Sequence, residues 1–132
     1  YYLYVGSINE MSIYMGAVIG MLSTAILVVN NIRDADTDKL SGKKTLAVRL
    51  GRSFSLIEYS ILVLSPFLGP MYIWQNYKNE LPMILTLFVL PIAFHLIIQV
   101  YMHTGKDLNM VLTRTARLLF VFTLLLSIGL VL

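Results

Sequence analysis

Residues 11–32, MSIYMGAVIGMLSTAILVVNNI, run between Glu10 and Arg33 without one charged side chain. A helix over this stretch is roughly 33 Å long at ~1.5 Å per residue, which matches the hydrocarbon core of a bilayer, so it reads as a membrane span. Its small residues, Gly16, Ala17, Gly20, Ser23, Thr24 and Ala25, are the kind that let helices approach closely in lipid. A second apolar segment covers about 53–75, with Glu58 near one end and Pro66, Gly69 and Pro70 predicting a kink in its second half. A third, about 81–102, starts with Pro82 in a first-turn position and holds Pro91, His95 and Gln99 inside. A fourth is uncharged from Leu118 to Leu132 and reaches spanning length if its helix begins near Met110, about 110–132. The expected fold is therefore all-α: a transmembrane helical bundle of about four spanning helices, with residues 1–132 forming a single integral-membrane segment.

Composition points the same way. The chain is 58% hydrophobic and 13% charged, with a mean hydropathy of +0.77, against roughly 25% charged residues in soluble domains. Ten Lys plus Arg against seven Asp plus Glu leave +3, too small and too scattered a surplus for a nucleic-acid partner. Cysteine is absent, which rules out disulfides, thiolate metal sites and a cysteine nucleophile. The opening Tyr1-Tyr2-Leu3-Tyr4 has neither an initiator Met nor a basic leader, so the chain reads as part of a longer one.

Nine of the ten cations fall on one side of this arrangement. Arg33, Lys39, Lys43, Lys44, Arg49, Arg52, Lys106, Arg114 and Arg117 flank helices two and three on their shared side, and Lys78 alone lies opposite. The positive-inside bias makes the segments about 33–52 and 103–117 cytoplasmic and puts both chain ends on the far face.

Residues 30–52 contain nine of the seventeen charged residues. If the first helix continues to Asp38, then Asn30, Asp34 and Asp38 stack on one face at spacings of four, while Asp36 points about 200° away from Asp34. Like charges held this close call for a cation between them, and Mg²⁺ fits best, because it uses one or two carboxylates and fills its shell with water and phosphate oxygens. Lys43, Lys44 and Arg49 follow within reach, suited to the remaining oxygens of a diphosphate. Two other readings stay open: a solvated loop that only sets topology, and a polybasic lipid patch weakened by its three interleaved Asp. An EF-hand fails on two residues, because Lys39 stands where the turn glycine belongs and Thr45 where the bidentate Glu should be.

At these residues the chain resembles the second aspartate-rich motif of the UbiA superfamily of intramembrane prenyltransferases. The run Asn30-Asn31-x-Arg33-Asp34-x-x-x-Asp38, then Gly42-Lys43-Lys44-Thr45-Leu46-Ala47-Val48-Arg49 and Gly51, is most similar to the 1,4-dihydroxy-2-naphthoate polyprenyltransferase branch. Leu108-Asn109, Leu112, Thr115-Ala116 and Ile128-Gly129-Leu130 resemble that branch's last helix. The resemblance implies a nine-helix fold of which this chain is the C-terminal part. It also implies Mg²⁺-dependent transfer of a polyprenyl group from its diphosphate to an aromatic acceptor, with decarboxylation, in menaquinone synthesis in a bacterial cell membrane. Asp34 and Asp38 would be catalytic metal ligands, Asn30 or Asn31 a polar neighbour of metal and diphosphate, and Lys43, Lys44 and Arg49 diphosphate contacts. Other branches of the superfamily take 4-hydroxybenzoate or homogentisate, and a non-enzymatic, transporter-like module is the rival from another class. The first motif, of Asn-Asp-x-x-x-Asp type, does not occur in these residues, so this chain alone should be inactive without preceding helices.

Four further groups carry expectations. His95 and Gln99, four apart, suggest a polar site inside the membrane or a histidine bonded to a neighbouring helix. Glu58 is expected to pair with Arg52 or Arg117, or to meet the acceptor. Tyr59, Tyr72, Trp74, Tyr77 and Tyr101 read as an aromatic belt at the interfaces. Met11, Met15, Met21, Met83 and Met110 read as packing or lipid-facing residues, or as chamber lining.

Overall fold

A computed structural model describes Gly6 and residues 10–132, and these are helical with short connections. The elements are α1 (Glu10–Leu40), α2 (Leu46–Leu64), α3 (Leu68–Tyr77), α4 (Leu81–Leu87), α5 (Leu90–Met102) and α6 (Leu108–Val131). Three stretches are long and apolar enough to cross a membrane: Glu10–Leu40, Leu46–Tyr77 and Gly105–Val131. A fourth span results if α4 and α5, bent by 41° at their break, count as one. The protein is thus an all-α integral-membrane bundle.

α1 is longer than its apolar stretch. Its 31 residues extend ~46 Å, so the turns carrying Arg33 to Lys39 stand beyond the hydrocarbon once residues 11–32 are embedded. Residues 33–52, expected as a loop, are mostly helical for the same reason: nothing in Arg33–Lys39 breaks a helix. The stop comes at Gly42, whose φ of 77° no β-carbon tolerates comfortably. The Lys43 amide then donates to the Asp38 carbonyl at 2.9 Å and the Gly42 amide to Lys39 at 3.3 Å, the paired bonds of a glycine-terminated helix end. Thr45 begins α2 by accepting from the Val48 amide at 3.4 Å.

Gly51 breaks α2 just after its start, with φ 84° and ψ 170°. An added Cβ there would meet nothing within 4 Å, so the constraint is purely conformational. Gly51→Ala is expected to cost about 1–3 kcal/mol, read as an earlier unfolding midpoint of the full-length protein in detergent. The break turns the chain from the interface into the membrane and leaves Arg52 aimed at the end of α5. Its Nη2 donates to the carbonyls of Val100 at 2.9 Å and His103 at 2.8 Å, partnering orphan groups of that helix end.

The kink expected around Pro66 is a three-residue 3-10 turn, Ser65–Phe67, that leaves the second span continuous. The sharper bend lies at Phe88–Val89, because Pro91 in the first turn of α5 has no amide to donate back to α4. The last helix starts at Leu108, close to the expected Met110.

The core is a stripe on α1, Val18, Leu22, Ala25, Val29 and Ile32, facing Tyr59 and Val63 of α2 and Val111, Leu118, Phe122 and Leu126 of α6. Tyr59 is fully buried and shares a 2.8 Å hydrogen bond with Thr115, so it is a core residue and not part of an aromatic belt. Trp74, Tyr77 and Tyr101 are exposed, as a belt requires. Of the small residues on α1, Ala25 is buried, whereas among the described residues nothing approaches within 4 Å of a Cβ placed on Gly16 or Gly20. The tight approach is elsewhere: a Cβ on Gly129 would lie 2.7 Å from the Pro82 backbone. Backbone atoms cannot yield as a side chain can, so Gly129→Ala should destabilise the protein by about 1–3 kcal/mol, measured by thermal unfolding in detergent.

Candidate functional site

The charged end of α1 is organised by Arg33. Its Nε and Nη2 donate to the two carboxylate oxygens of Asp34, each at 2.7 Å, a two-pronged grip that fixes the carboxylate plane. Nη2 also donates to Asn30 Oδ1 at 2.7 Å, one turn back on the same helix. Nη1 reaches Asn109 Oδ1 at 2.8 Å, on the first turn of α6. One guanidinium therefore holds Asn30 and Asp34 in register and ties the end of α1 to the start of α6, placing both on one side of the membrane.

Asp38, one turn beyond Asp34, is buried and accepts from Lys43 Nζ at 2.9 Å. The turn at Gly42 makes this possible by folding the chain back so that Lys43 lies over the helix it has just left. The Asp38 carboxylate bonded to Lys43 raises that ammonium above the ordinary lysine value of 10.5. On the alkaline side, the pair's contribution to stability is accordingly lost as pH rises through the higher folded value of the lysine.

Asn30, Asp34 and Asp38 thus share a face of α1 as expected, with Arg33 and Lys43 as their cations. Asn31 makes no side-chain hydrogen bond among the described residues, and Lys44 and Arg49 are exposed without ion-pair partners there. Asp36 makes no ion pair with these groups; it lines a crevice of about 160 Å³ whose walls include Arg33, Ala47, Arg52 and Thr104. Glu58 forms no ion pair with Arg52 or Arg117, and Arg52 is engaged by backbone carbonyls instead. His95 is not hydrogen-bonded to a neighbouring helix; it is exposed at a groove beside Arg114 and Arg117.

Two participants, Arg33 and Asn109, stand among the residues that carry the resemblance but have no role assigned from the sequence. Arg33 looks like one more topology-setting cation until its bonds are seen, and Asn109 lies 76 positions away with no local pattern to connect them.

Among the described residues no three acidic or histidine side chains stand close enough to hold a metal by themselves. Two carboxylates one turn apart, at a helix end outside the apolar stretch, fit a hard cation that takes one or two protein oxygens and completes its shell with water and phosphate. Arg33 and Lys43 beside them fit an anion bound at the same place.

The chain has relatives among known proteins. A chain region of the 1,4-dihydroxy-2-naphthoate octaprenyltransferase of Haemophilus influenzae is 31% identical over 98% of this chain and 42% of that protein. The UbiA prenyltransferase domain-containing protein 1 of Homo sapiens is 30% identical over 100% of this chain and 38% of its own length. Its Drosophila melanogaster homolog is 36% identical over 76% of the chain and 27% of its own length. The chain thus spans less than half the length of these relatives. The profile of the UbiA prenyltransferase family matches residues 1–124, and the chain belongs to that family.

Proposed function

We propose that this chain supplies the second aspartate-rich half of a polyprenyl diphosphate site, in an enzyme that prenylates an aromatic acceptor. The observation that carries the reading is the pairing of Asp34 and Asp38 on one face of α1, beyond its apolar stretch, with Arg33 and Lys43 as cations on the same face. The preferred acceptor is 1,4-dihydroxy-2-naphthoate, with loss of its carboxylate, as in menaquinone synthesis. Support for that choice is the 31% identity to a protein named for this acceptor.

Asp34 and Asp38 would hold Mg²⁺, with Asn30 or Asn31 as polar neighbours. When bound, the ion supplies Lewis-acid stabilisation of the departing diphosphate. Arg33 keeps the Asp34 carboxylate in one orientation, so its oxygens need no reorganisation as charge develops. Lys43, which pairs with Asp38 at 2.9 Å, would be the nearest lysine to donate to a diphosphate oxygen if Asp38 held the ion. Lys44 and Arg49 stand exposed in the same turn to meet the remaining charge. The apolar walls of the bundle exclude water, which would otherwise quench an allylic cation before the acceptor ring attacks it. The remaining helices of the full-length protein complete the site, so the 132-residue chain alone is expected to be inactive. This end of the bundle would face the cytoplasm, a reading supported by its excess of cations, and the membrane would be that of a bacterial cell.

Acceptor identity is tested by offering the full-length protein equal concentrations of 1,4-dihydroxy-2-naphthoate, 4-hydroxybenzoate and homogentisate with one polyprenyl diphosphate. Prenylated, decarboxylated naphthoate should dominate the products. Dominance of another prenylated ring would keep the reaction class and replace the acceptor.

A further inference from the structure

α5 and α6 do not close on each other along their whole length. Between them lies a groove of about 390 Å³, with Ile92, Leu118 and Val121 among its apolar walls and His95, Arg114 and Arg117 at its rim. Neither arginine has a hydrogen-bond or ion-pair partner among the described residues. Unpaired cations this far along a spanning helix are costly unless an anion meets them.

Depth says which anion. Along α6, Arg114 and Arg117 lie ~9 Å and ~14 Å past Leu108, and His95 lies ~10 Å back from Met102 at the end of α5. Arg114 and His95 therefore sit at one level and Arg117 about one turn deeper, all below the helix ends on the side of the Asp34 cluster. Long arginine side chains turn toward the interface, which lifts their guanidinium groups to where lipid phosphates lie. The groove is offset from the diphosphate half-site: Arg114 and Arg117 lie five and eight residues past Asn109, so they project ~140° and ~80° around the helix from the residue that meets Arg33.

We propose that this groove seats one anionic phospholipid of the leaflet on the Asp34 side, its phosphate between Arg114 and Arg117 and an acyl chain along Ile92, Leu118 and Val121. A phosphate and a hydrocarbon tail together match what the groove offers, two cations above an apolar floor, whereas a free phosphate matches only its rim. Bound there, the lipid bridges α5 and α6 where protein contacts between them are thin.

The test is thermal unfolding of the purified, delipidated full-length protein with added phosphatidylglycerol, phosphatidylcholine or inorganic phosphate. Phosphatidylglycerol should raise the midpoint by about 3 °C or more over phosphatidylcholine, and inorganic phosphate should not. The double variant Arg114→Gln/Arg117→Gln should lose that difference while keeping its midpoint in phosphatidylcholine. Val121→Trp, which fills the floor and leaves both arginines, should lose it too and decides the matter if the double variant fails to fold. An undiminished phosphatidylglycerol effect in either folded variant, or an equal effect of phosphatidylcholine or inorganic phosphate, overturns the proposal. So does a structure of the full-length protein in which a carboxylate from another helix pairs with Arg114 or Arg117.

Discussion

Asp34→Asn in the full-length protein should lower prenyl transfer by about 10²–10³-fold, the scale for losing one preorganised electrostatic group, with membrane insertion unchanged. The substitution preserves size and leaves Arg33 one of its two acceptors on this side chain, with Asn30 and Asn109 still holding the guanidinium at the end of α1. What it removes is the negative charge, without which a divalent cation loses one of its few protein ligands. Asp38→Asn should behave alike and should also free Lys43 from its 2.9 Å pairing. Asp36→Asn is the control. Asp36 lines a crevice beside Arg33, Arg52 and Ala47 but takes no part in the hydrogen bonds of Arg33, so turnover should stay near that of the parent. The check is product formed at saturating Mg²⁺, beside membrane fractionation of each variant. Near-normal turnover in Asp34→Asn would remove the metal role from that residue.

Arg33→Lys should cost about 10–100-fold in turnover or in apparent Mg²⁺ affinity, as expected for a group that orients a metal ligand. Lysine keeps the positive charge, so a simple topology-setting cation would survive the change. It cannot reproduce the fork, in which three nitrogens, with Nη2 shared between Asp34 and Asn30, serve Asp34, Asn30 and Asn109 at 2.7–2.8 Å. Asn109→Ala removes one arm of the same network and should give a smaller loss in the same direction. Titrating Mg²⁺ separates the two possibilities. A rightward shift of the Mg²⁺ curve marks Arg33 as a positioning residue, whereas unchanged turnover and unchanged Mg²⁺ dependence would make it a topology signal only.

The membrane architecture was legible because it is written locally. Charge-free runs as long as a bilayer is thick mark the spans, and the four-residue spacing of Asn30, Asp34 and Asp38 gives a shared face once the helix continues. The continuation itself was conditional, since polar residues neither favour nor forbid two more helical turns; only Gly42 ends them. Gly51 was quoted within a motif, yet its positive φ depends on how α2 must enter the membrane, which no neighbouring residue encodes. Contacts between distant elements were the least readable. Charge alone offers Glu58 a pair with Arg52 or Arg117, and instead Arg52 meets carbonyls at the end of α5, where helix geometry leaves acceptors without partners. Tyr59 was assigned to an interface by residue type, but Thr115, fifty-six positions on, gives its hydroxyl a buried partner.

The central claim is Mg²⁺-dependent prenyl transfer at the Asp34–Asp38 end of the bundle. It is tested most directly by incubating the full-length protein in liposomes with a polyprenyl diphosphate and 1,4-dihydroxy-2-naphthoate, with Mg²⁺ and after its removal by chelation. The account predicts a prenylated, decarboxylated product with Mg²⁺, its loss on chelation, and its return when Mg²⁺ is restored. Folded protein that forms no prenylated product with this or any other aromatic acceptor would contradict it, and the charged end of α1 would then be a topology signal.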